Sequence, residues 1–124
     1  MSATQSSIPD SNQVYFKQLL SGRDFAADDQ LAQQMVNFVY LIGDKSTREC
    51  MIIDPAYAVE ELLSVAEQDG MKVVGALATH YHPDHVGGSM MGANIDGIAT
   101  LLSKVDIPIH VQELEAQWVM RTTG

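Results

Sequence analysis

Apolar positions change rhythm along this chain, and each change marks a predicted element. Residues 14–20 (VYFKQLL) are rich in strand formers and stop at Ser21-Gly22, which predicts a first strand. Residues 23–34 are polar and acidic with weak periodicity, and are expected to be a connection. Residues 35–42 are β-branched and aromatic, 43–47 form a turn cluster, and 49–54 are apolar again, which together predict a hairpin closed by Asp54-Pro55. From 57 to 69, Val59, Leu62, Leu63 and Ala66 fall on one helical face, and Gly70 stops the helix. Residues 72–78 (KVVGALA) are almost continuously apolar, the pattern of a strand covered on both faces. Farther on, 94–103 are helix-like, 107–111 form a short strand and 113–121 a second helical stretch.

The order β, β-hairpin, α, β, α, β, α belongs to an α/β (α+β layered) fold with a mixed sheet and helices. Several strands lack clean alternation, so both sheet faces want covering, yet three helical stretches are available for the task. The expectation is a half-sandwich, completed by a homo-oligomer or by a complementing C-terminal half. In a lone chain, much of 36–42 and 73–78 would be unusually exposed. With 124 residues, 46% of them hydrophobic, one globular unit over 14–124 is expected, preceded by a flexible tail at 1–13.

Charge narrows the partners. Sixteen acidic residues against seven basic ones give a net charge of -9, which repels a phosphate backbone and argues against nucleic acid. No apolar run approaches the roughly 20 residues of a membrane span, the longest being 36–42 and broken by Asn37. The N-terminus has neither the basic start nor the apolar core of a secretory signal. Cys50 is the single cysteine, set in a strand-like run beside Met51-Ile52-Ile53, and reads as an inert buried thiol. A cytoplasmic protein with a small-molecule substrate is expected.

Chemistry concentrates in Thr79-His80-Tyr81-His82-Pro83-Asp84-His85-Val86-Gly87-Gly88. In extended backbone His80 and His82 point to one side and Tyr81 to the other. Pro83 holds His82 out of the helical region and turns the chain, bringing Asp84 and His85 to the same cavity. Gly87-Gly88 permits positive φ and a close backbone approach to the metal. Imidazoles and a carboxylate suit zinc, iron or manganese, and four donors in six residues serve one ion tightly or two ions partly. Met90-Met91 and Trp118 are given no function.

The same run resembles the T-H-x-H-x-D-H-x-G-G signature of the metallo-β-lactamase superfamily, in its glyoxalase II-like hydrolase branch. Residues 37–44 and 52–56 resemble that family's opening hairpin and first aspartate, and the likeness covers 14–124. It implies the N-terminal half of an αββα sandwich and a metal-dependent hydrolase acting on a thioester, ester or lactam-type carbonyl with two zinc ions, iron or manganese being alternatives. By resemblance His80 and His82 are first-site ligands, Asp84 and His85 second-site ligands, Asp84 also orients the attacking water, and Asp54 braces the motif loop. Family members close the two sites with a further histidine, a bridging aspartate and a last histidine from the second half of the sandwich. His110 is the only histidine after His85, in a strand where family histidines are not usually ligands. A non-catalytic metal-binding remnant, or half of an iron-dependent persulfide dioxygenase-like protein, is the alternative.

Overall fold

Alternation of buried and exposed residues along the strands decides which sheet face becomes core. The structure, a computed structural model, describes residues 13–80, 82–90 and 93–123. The expected tail therefore lies, apart from Gln13, outside the described residues. Five strands, β1 (Val14–Leu20), β2 (Phe38–Asp44), β3 (Glu49–Ile53), β4 (Lys72–Ala78) and β7 (Ile109–Val111), form one mixed sheet in the order β1-β2-β3-β4-β7. The first three are antiparallel neighbours, while β4 runs parallel to both β3 and β7. A second, two-stranded sheet pairs β5 (Gly88–Met90) with β6 (Ala93–Ile95). This is a mixed α/β architecture.

Helices α1 (Gln30–Met35), α2 (Val59–Gln68), α3 (Pro83–Val86), α4 (Ile98–Lys104) and α5 (Glu113–Thr123) complete the fold. On the covered sheet face Tyr15, Leu19, Val39, Leu41, Cys50, Ile52, Val73 and Ala76 pack into one cluster with Val59, Leu62 and Ala66 of α2 and Leu101 of α4. Removing that apolar area from water at roughly 25 cal/mol per Å² is the main stabilising term. Cys50 is buried within it, and burial pushes its thiol pKa up, in keeping with an inert thiol. A smaller cluster of Ala78, Val86, Ile98 and Val119 ties α3, α4 and α5 to the end of β4, beneath the histidine motif. None of the described helices is long and apolar enough to cross a membrane.

Several expectations are corrected. The connection at 23–34 contains α1, a six-residue helix whose N-cap Asp29 accepts from the Leu31 and Ala32 amides. Met35 belongs to that helix rather than to the hairpin. Residues 94 and 95, read as the start of a helix, instead belong to β6, because pairing with β5 takes the backbone bonds that a helix would use. Strand β4 is not covered on both faces by the described residues: Ala76 and Ala78 are buried while Leu77 between them is 36% exposed. Only alternate residues of the expected open stretches are exposed, because the pleat sends their neighbours into the core. Phe16, Phe38 and Ile42 share the open face with Leu77, where Tyr40 stacks near Phe16 and Phe38.

Candidate metal centre

The motif starts where β4 ends, and the end of β3 lies alongside it. Asp54, one residue beyond β3, has φ 56 and is buried, with its amide donating to the Leu77 carbonyl at 2.8 Å. An aspartate tolerates that left-handed backbone better than most residues. Its carboxylate reaches across to the motif. Oδ1 accepts from the Thr79 amide at 2.7 Å, and Oδ2 accepts from the Thr79 hydroxyl at 2.5 Å and lies 3.1 Å from His85 Nδ1.

These bonds assign the histidine tautomers. Thr79 spends its only hydroxyl proton on Asp54, so its oxygen must accept at its 3.0 Å contact with His80 Nδ1. His80 therefore carries its proton on Nδ1, and a neutral His85 does likewise toward Asp54. Both rings then present the Nε2 lone pair outward, as metal-ligating imidazoles require.

His82, after the undescribed Tyr81, is extended (φ -62, ψ 139) and N-caps the single turn of α3, with Pro83 in its first position. That turn carries Asp84 and His85 back toward His80. Ring centroids of His80 and His82 are 4.7 Å apart, those of His80 and His85 4.1 Å, and Asp84 Oδ2 is 3.6 Å from His85 Nε2. Among the described residues, Asp54, His80 and His85 form a set whose donor atoms all lie within 4.8 Å of one another. His82 and Asp84 are outside that tight set but adjoin it. The expected outward direction of Tyr81 and the placing of Met91 fall outside the described residues.

Electrostatics follow the contacts. Burial works to raise the Asp54 carboxyl, but the hydrogen bonds from His85 and Thr79 outweigh it and hold the pKa below the usual value. The Asp54 bond in turn raises His85, whereas desolvation and the neighbouring imidazoles lower His80. Three imidazoles and two carboxylates, with no thiolate, are donors that fit zinc, iron or manganese.

Two further features were not expected from the sequence. Asn37 donates its side-chain amide to Asp84 Oδ2 at 2.7 Å and to the Asp84 carbonyl at 2.9 Å. Its one sequence signal is that it interrupts an otherwise apolar run. The glycine pair is also required for a different reason: a Cβ on Gly87 would lie 2.7 Å from Gly97 Cα, and one on Gly88 2.5 Å from the Thr122 carbonyl oxygen. The chain approaches itself closely here, and the positive φ expected at both positions is present, at 92 and 126. His110, on β7 opposite Leu77, is exposed. Trp118 is 42% exposed on α5, with Arg121 4.9 Å over its ring.

Known proteins resemble parts of this chain. A hydroxyacylglutathione hydrolase of Rhodospirillum rubrum is 40% identical over 60 residues, 48% of this chain and 23% of that protein. The enzyme of the same name from Gloeobacter violaceus is 36% identical over 83 residues, 64% of this chain and 32% of that one. The chain thus spans about a quarter to a third of the length of these curated relatives. The solved structure of a metallo-beta-lactamase from Staphylococcus aureus superposes with a TM-score of 0.59 and 29% identity, covering 84% of this chain and 25% of that one. The sequence family described as the metallo-beta-lactamase superfamily matches residues 33–124, three quarters of the chain and the whole of the histidine motif, and this chain belongs to that superfamily.

Proposed function

We propose that this chain is the metal-ligating part of a hydrolase that directs an activated water at a thioester, ester or lactam-type carbonyl. The observation that carries the reading is the convergence of the His82 and His85 rings on His80, with Asp54 and Asp84 beside them. His80 and His82 would hold one zinc ion, Asp84 and His85 would contribute to a second, and iron or manganese would suit the same donors. A zinc ion there supplies a water deprotonated near neutral pH and a Lewis acid for a carbonyl oxygen. The chain's own residues do the rest. Asp54 and Thr79 hold His80 and His85 with Nε2 outward, and Asp84 orients the attacking water.

A thioester substrate is favoured over the other carbonyls by the resemblance to hydroxyacylglutathione hydrolases. The open apolar sheet face favours a second reading, in which the chain is a metal-binding module that works only when another polypeptide covers that face. Metal analysis after dialysis, coupled to a thioester hydrolysis assay, tests both readings. The expected result is bound metal, lost in His82→Ala, with little turnover by the chain alone. Turnover at the rate of a complete enzyme would refute the module reading, and absence of bound zinc, iron or manganese would overturn both.

A further inference from the structure

We infer that Asn37 is the positioning residue for Asp84, and that Ser21 at the end of β1 sets its register. The inference rests on the reading of His80, His82, Asp84 and His85 as a metal site, and extends it to residues that lie outside the motif. Helix α3 is a single turn, so the Asp84 carbonyl has no amide one turn later within the helix to accept from. The Asn37 amide supplies that donor at 2.9 Å, and from the same nitrogen donates to Asp84 Oδ2 at 2.7 Å. One side chain thereby grips both the backbone and the carboxylate of a single residue, which fixes the side-chain torsions of Asp84. Each carboxylate oxygen has two acceptor sites, so Asp84 keeps capacity for a metal ion or a water.

Asn37 is itself held from both sides. Its backbone amide donates to Ser21 Oγ at 2.9 Å, its backbone carbonyl accepts from the Ser21 amide at 2.8 Å, and Ser21 Oγ donates to the Ala32 carbonyl at 2.9 Å. Ser21 is 1% exposed, and its hydroxyl joins α1, at Ala32, to Asn37 just ahead of β2. Ser21 and Ala32 both precede residue 33, where the superfamily match begins. The segment ahead of that match thus helps to aim a side chain of the site.

The test is cobalt(II) titration of the chain, with Asn37→Ala, Asp84→Ala and the double variant, read by the visible d–d spectrum and by chelator competition. Asn37→Ala is expected to weaken metal affinity about 10- to 100-fold, the usual effect of removing a ligand's hydrogen-bonding partner. In the Asp84→Ala background the same change should have no further effect, because the two residues act as one unit. An unchanged affinity in Asn37→Ala, or an equal loss with and without Asp84, would overturn the inference. Failure of the metal reading itself is separable. In the metal-free chain the Asn37 side-chain amide protons should be slow to exchange with solvent by NMR, and that protection should disappear in Asp84→Ala and in Ser21→Ala. Freely exchanging Asn37 protons in the unsubstituted chain would overturn the inference whether or not metal binds.

Discussion

Asp54 Oδ2 and His85 Nδ1 lie 3.1 Å apart, and this contact joins the end of β3 to the histidine motif across thirty residues of chain. The same carboxylate holds the amide and hydroxyl of Thr79, so a single buried residue fixes the motif at its start and near its end. Asp54→Ala leaves the Thr79 amide and His85 without their acceptor and places alanine at φ 56. A loss of about 3 kcal/mol is expected. Asp54→Asn keeps the shape and the tolerance of left-handed backbone but surrenders an acceptor, and should lose about 1 kcal/mol. Urea denaturation of the metal-free chain measures both, and equal losses would show that the carboxylate's charge and second oxygen carry the whole contribution.

The glycines after the motif lead to a ranked expectation. Gly87→Ala and Gly88→Ala drive a Cβ into backbone atoms at 2.7 and 2.5 Å, in addition to the positive φ that alanine resists. Gly70→Ala has the same backbone difficulty but meets nothing nearer than an Arg48 side-chain nitrogen at 3.5 Å. Thermal unfolding should show losses above about 2 kcal/mol for the first two and about 1 kcal/mol for the third. A milder effect at Gly88 than at Gly70 would mean that α5 yields easily at Thr122.

Legibility in the sequence followed the range of the interactions. Strand β1, the hairpin, α2 and the motif are set by local pattern, and their residues could be read in order along the chain. Helix α1 offered only six residues and little periodicity, although Asp29 ahead of it was an available cap signal. Strand β6 was hidden because three residues become a strand only by pairing with β5. The bond from Asn37 to Asp84 spans 47 residues, and no spacing rule predicts such a contact. His80 and His82 stood out by chemistry, whereas Thr79, although first in the motif, gave no sign in the sequence that its hydroxyl would determine the His80 tautomer.

The open sheet face should govern association. Phe16, Phe38, Ile42 and Leu77 are 57%, 40%, 43% and 36% exposed on one face, an apolar area that a soluble chain normally covers. Sedimentation analysis is expected to show concentration-dependent association of the chain. Phe16→Lys with Ile42→Thr should reduce that association while changing unfolding free energy by no more than about 0.5 kcal/mol per site, since little burial is lost. Unaltered association in the double variant would locate the contact elsewhere.

Acid should loosen the attachment of β1 to α2. Asp69, at the C-cap of α2, accepts from the Tyr15 hydroxyl at 2.6 Å and pairs with Lys17 Nζ at 2.7 Å. The hydrogen bonds from Lys17 and Tyr15 hold its carboxyl below the ordinary 3.8. A carboxyl depressed in the folded state stabilises it above the unfolded value, and that contribution is lost as pH falls through the folded one. Tyr15→Phe removes the buried partner's hydroxyl and should lose about 1 kcal/mol at pH 7. Asp69→Asn removes the charge, so its difference from the unsubstituted chain should be full at pH 7 and shrink progressively below pH 3.8. Denaturation series between pH 7 and pH 3 measure that convergence, and a difference independent of pH would show that packing rather than charge joins these two elements.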